Sequence, residues 1–88
     1  MLATGGLVIL LLDERTSIES VSASAAGRTL RLHGSGAGEV GLRRLDGRPI
    51  ARVVFRGEPL PMKAKGDLEV ARFDFGGSSV GVMAIDGL

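Results

Sequence analysis

The chain has no cysteine, no tryptophan and no tyrosine, and it has only three phenylalanines and one histidine. Without thiols, disulfides and thiolate chemistry are excluded. One histidine and no cysteine leave a zinc site without its usual ligands, so no metal and no cofactor is expected. Single-stranded nucleic acids are usually held by stacking bases on exposed aromatics, and sugar-binding modules rely on the same platform; neither has one here. An excess of one charge is missing too. Eleven basic residues stand against ten acidic ones, a net charge of +1, which argues against a globally basic nucleic-acid binder and against an acidic tail. Nucleic acid is therefore not an expected partner.

What remains is glycine and short apolar runs. The 88 residues form a single domain, 1–88, of a size that hides only about 60–65% of its extended surface on folding. Fourteen glycines punctuate the chain. Turn signals fall at Asp13-Glu14-Arg15-Thr16, Ala26-Gly27, Gly34-Ser35-Gly36-Ala37-Gly38, Asp46-Gly47, Gly57-Glu58-Pro59-Leu60-Pro61, Lys65-Gly66-Asp67 and Gly76-Gly77-Ser78. Segments of about 6–9 residues lie between them, and none carries a 3.6-residue apolar period over three turns. The expected fold is all-β: a small antiparallel β-sandwich or barrel of about six or seven short strands. Pro61-Met62-Lys63-Ala64-Lys65 reads as loop, and no internal repeat or linker stands out.

Residues 7–12 (Leu-Val-Ile-Leu-Leu-Leu) are too few to cross a bilayer, which takes about 20. The first cation, Arg15, follows this run instead of preceding it, so an export signal is not expected. A strand buried on both faces accounts for the run better, and residues 79–86 read the same way. No membrane role is expected, and without an export signal the location implied is the cytoplasm.

The centre of the chain predicts a meander. Asp46-Gly47 signals a two-residue type I′ hairpin, setting Leu42 against Ala51 and Val40 against Val53. A symmetric reversal through the glycine loop at 34–38 sets Leu32 against Val40 and Leu30 against Leu42. The inner face is then Leu30, Leu32, Val40, Leu42, Ala51, Val53 and Phe55. A second sheet, built from residues 68–75 and the two apolar ends, would cover it.

Several patterns invite chemistry and fail on context. Gly36-Ala37-Gly38-Glu39-Val40-Gly41 matches G-x-G-x-x-G, but dinucleotide binding needs those glycines to open a helix, and a turn follows too soon. His33 opposite Glu39 could form an ion pair, yet it lacks a nucleophile held beside it; Ser35 lies on a glycine loop. The carboxylates are scattered and form no calcium loop. No enzyme activity is expected.

Two surface features carry more weight. Nine of the eleven cations are arginine, and the predicted register gathers Arg31, Arg43 and Arg52 around Gly41. Such a cluster could hold a carboxylate or phosphate bidentately or meet a partner's acidic patch. The second feature is apolar surplus. Leu68 and Val70 oppose Ala71, Phe73 and Phe75 along one strand, Val80 and Val82 oppose Met83 and Ile85 along another, and Ile50 and Val54 fall on the wet side of the hairpin. One interior cannot hide both faces, so contacts with other subunits are expected through Leu7, Ile9, Leu11, Val80 and Val82, along sheet edges or apolar faces.

A cysteine-poor, glycine-rich β domain with apolar faces resembles the small accessory proteins of tailed-phage particles, such as head decoration (cement) proteins. The resemblance lies in the general character of the whole chain. It implies a non-enzymatic structural subunit that binds protein partners, itself or a larger assembly such as a capsid. The rival expectation is a small β-barrel module that binds an anionic ligand or nucleic acid through Arg31, Arg43 and Arg52.

Overall fold

Apolar residues alternating between glycine turns form ten strands in the computed structural model, which describes residues 1–24 and 27–87. They are β1 (Leu2–Thr4), β2 (Leu7–Leu11), β3 (Ser17–Ala23), β4 (Gly27–His33), β5 (Ala37–Arg44), β6 (Arg52–Phe55), β7 (Glu58–Pro59), β8 (Met62–Lys65), β9 (Leu68–Asp74) and β10 (Val80–Asp86). All pairings are antiparallel, and two five-stranded sheets, ordered β1-β2-β5-β9-β8 and β3-β4-β10-β6-β7, pack into a sandwich. The all-β expectation holds, with more strands than the sequence predicts, because β1 and β7 are short. The 61–65 segment, expected as loop, supplies β8. The expected turn at Ala26-Gly27 lies partly outside the described residues.

Each sheet is a single strand flanked by two hairpins: β5 between β1-β2 and β9-β8, and β10 between β3-β4 and β6-β7. The chain changes sheets at 12–16, 34–36, 45–51, 60–61 and 75–79. The expected β4-β5-β6 meander is therefore absent. Leu42 pairs with Ile9 and Glu69, and Val53 pairs with Ile85. Backbone geometry at Asp46-Gly47 explains the difference. A type I′ turn needs positive φ at both central residues, and only Gly47 has it (φ 76°). The Gly47 N–H instead donates to the Arg44 carbonyl at 3.1 Å, and the chain runs on irregularly to the other sheet. Within this crossing Ile50 is buried, and its N–H donates to the Glu69 carboxylate on β9 at 2.6 Å. A type I′ pair does occur at Arg56 and Gly57 (φ 53° and 82°), where it joins β6 to β7.

The predicted inner face survives the change of topology with one loss. Leu30, Leu32, Val40, Leu42, Val53 and Phe55 are all buried, and Ala51 is exposed. A strand presents the same alternate residues whether its neighbour lies beside it or across the core, so Leu32 and Val40 enter one core from opposite sheets. Leu7, Ile9, Ala71, Phe73, Phe75, Met83 and Ile85 complete the core. The three phenylalanine rings cluster with centroids 4.8–5.7 Å apart. Each lies over a glycine: a Cβ would come within 2.4 Å of the Phe73 ring at Gly38, 2.3 Å of Phe55 at Gly81 and 2.8 Å of Phe75 at Gly34.

Asp13 secures the first crossing. Its carboxylate accepts the backbone N–H groups of Arg15, Thr16 and Glu39, each at 2.9 Å, tying the bend to β5. The four sheet edges are each blunted against pairing. β1 has three residues, β7 has two and includes Pro59, β8 carries Lys63 and Lys65, and β3 is bulged at Glu19 between Ile18 and Ser20. Edge-to-edge contact, one of the two routes expected for association, is thus disfavoured.

Candidate interaction faces

The arginine cluster expected around Gly41 does not form. Arg43 lies on β5 at 3.7 Å from the Asp67 carboxylate. Arg31 lies on β4, in the other sheet, and its Nε donates to Glu19 at 2.9 Å. Arg52 is on β6 beside Asp86 of β10. With Arg43 on one outer face and Arg31 and Arg52 on the other, the three cannot share an anion. His33 and Glu39 are separated in the same way: His33 pairs with Ser17 and Val80, whereas Glu39 accepts from Arg72 Nε at 2.8 Å. Among the described residues no group of three or more His, Cys, Asp or Glu could hold a metal ion. No helix there is long and apolar enough to cross a membrane.

The expected subunit contacts divide by pleat. Leu7 and Ile9 point inward and are 0% and 1% exposed, so they belong to the core and offer no surface. Leu11 is partly buried against that core. Val80 and Val82 lie on the outer face of the β3-β4-β10-β6-β7 sheet, near Ala84 and Val54, with Val82 45% exposed. Serines 17, 20 and 22, with Thr29, Arg31 and His33, make the β3-β4 side of that face polar.

The opposite outer face is the more apolar. Gly41 lies on it, as expected, but its cross-strand neighbours are Leu10 on β2 and Val70 on β9. With no side chain at Gly41, neighbouring groups close over it: a Cβ there would lie 3.1 Å from Leu68 and 3.3 Å from Leu12. Val8 and Val70 are buried although they point away from the core. Leu12 remains 40% exposed, and Leu10 and Leu68 are half-buried. Charged groups ring this cluster: Arg43 with Asp67, Arg72 with Glu39, and the edge-strand lysines Lys63 and Lys65. Neither lysine has an ion-pair partner among the described residues. The two-sided apolar character of residues 7–12 and 68–71 is the sequence signal for this cluster. Its convergence on Gly41 requires β5 to lie between β2 and β9.

No protein-family model, curated protein or solved structure matches the chain.

Proposed function

We propose that the protein is a non-enzymatic structural subunit that works by binding neighbouring protein subunits, copies of itself among them, in the manner of a head decoration protein on a virion. The observation that carries this reading is the apolar cluster of Leu10, Leu12, Leu68 and Val70 over Gly41, ringed by charged side chains. An apolar centre with a polar rim is the usual anatomy of a protein–protein contact. The anion-binding alternative loses its support, because its three arginines occupy two opposite faces.

Sedimentation of the purified protein from about 1 µM to about 1 mM, the range of weak and moderate association, tests the reading. A mass that rises with concentration is expected. A monomer mass that holds over the whole range overturns it.

A further inference from the structure

The interaction reading leaves open which face is used and what it meets. Resting on that reading, we infer that the outer face of the β1-β2-β5-β9-β8 sheet docks on the same face of a second copy, about a two-fold axis that runs across the strands.

Three rows of outward side chains cross this sheet. The first holds Ala3, Val8, Arg43, Leu68 and Lys65. The second holds Leu10, Gly41, Val70 and Lys63, and the third holds Leu12, Glu39 and Arg72. A two-fold axis along the second row sets Val8, Arg43 and Leu68 of the first row against Leu12, Glu39 and Arg72 of the third. The exposed Leu12 then lies over the Val8 position of the second copy, and Leu10 meets its own counterpart; Val8 and Val70 are already covered within each chain and add little surface. Arg43 meets Glu39 of the second copy twice, once on each side of the axis. The Arg43 and Glu39 positions are self-complementary about the glycine, within a face whose rim holds four cations against two anions. Opposite-charge pairs placed this way set register and choose the partner, and an isologous contact needs this kind of self-match.

Gly41 lies at the centre of the contact. Two sheets packed face to face stand about 10 Å apart. A bare position on both copies leaves room for the leucines that already lean over it. Leu68 opposes Arg72, whose methylene stem can cover it while the guanidinium stays on Glu39. Lys63 falls near its counterpart, but it sits on an edge strand, where its ammonium can turn out to water.

Size fits a weak dimer. The five strands hold 27 residues between them, which at about 3.3 Å along the strand and about 4.8 Å across it give a footprint of about 430 Å² per copy. The total, about 860 Å², falls below the range of stable specific interfaces and among weak, transient contacts. The outer face of the other sheet has no comparable match. Its β3-β4 side is serine-rich, with Ser17, Ser20 and Ser22 beside Thr29, Arg31 and His33.

The test is sedimentation of charge-reversed variants, alone and mixed, with far-UV circular dichroism confirming that each is folded. Arg43→Glu alone and Glu39→Arg alone each place two like-charge pairs in the dimer, and each should raise its Kd about ten- to a hundredfold. Mixed in equal amounts they restore both opposite pairs, so the mixture should dimerise as the unmodified protein does. Leu12→Arg should also weaken the dimer, and Val82→Arg, on the other sheet, should leave it unchanged. If Glu39→Arg unfolds through repulsion from Arg72, Leu12→Arg against Val82→Arg reads the same face. A mixture that stays monomeric, growth past the dimer, or association lost in Val82→Arg but kept in Leu12→Arg overturns this inference and leaves the interaction reading standing. An unmodified protein that stays monomeric throughout overturns both.

Discussion

Glycine does two different jobs here, and single substitutions separate them. Gly38 lies under the Phe73 ring and Gly81 under Phe55, with no space for a methyl group. Gly38→Ala should therefore lower stability by about 1–3 kcal/mol, the usual cost of overpacking a core. Gly77 has nothing within 4 Å of the place a methyl group would take, and its φ is not positive, so Gly77→Ala should be close to neutral. Thermal melts of the two variants check both expectations. Asp13 is the other residue on which much depends. Burial raises its carboxyl, but the backbone N–H groups of Glu39, Arg15 and Thr16 outweigh it and hold the group below its ordinary 3.8. Stability from a depressed carboxyl is fully present above the ordinary value and is lost as pH falls through the folded one. Denaturant midpoints measured from about pH 5 to about pH 2 should thus fall more steeply for the native chain than for Asp13→Asn. At neutral pH Asp13→Ala should cost about 1–3 kcal/mol, since it removes the acceptor of three N–H groups at a half-buried site.

At the scale of elements, turns and edges decide what the strands can do. Gly57 has open space around it but a φ of 82°, so Gly57→Ala should cost about 1–2 kcal/mol through backbone strain alone. The β8 edge carries lysine at both outward positions. Replacing them, as in Lys63→Val with Lys65→Val, should produce open-ended aggregation, detectable by light scattering, because the edge would then be apolar and unguarded. The turn positions at 13–16, 66–67 and 76–78 are legible because their residue chemistry is local. Asp46-Gly47 misleads because aspartate-glycine serves a type I turn, as its third and fourth residues, as readily as a type I′ hairpin. The decision there comes from a distant group: Glu69, on β9 of the sheet the chain is leaving, accepts the Ile50 N–H within the crossing.

Over the whole molecule, the central strands pair only with strands distant in sequence: β5 with β2 and β9, and β10 with β4 and β6. Such pairings require long loops to close before they are rewarded, so folding in milliseconds to seconds is expected. With no tryptophan or tyrosine, stopped-flow far-UV circular dichroism is the measurement to use, and submillisecond folding would contradict the topology. The alternation of apolar residues determined, without any coordinates, that the chain is all-β and that Leu30, Leu32, Val40, Leu42, Val53 and Phe55 are interior. That much is local, because the pleat sends every second side chain to the same face whichever strand lies alongside. Which strand lies alongside was decided only in three dimensions. Placing β5 between β2 and β9 put Leu7 and Ile9 into the core, separated Arg43 from Arg31 and Arg52, and gathered Leu10, Leu12, Leu68 and Val70 over Gly41. Pairing partners are chosen by how two whole sheets fill one interior, and no single stretch of chain contains that information.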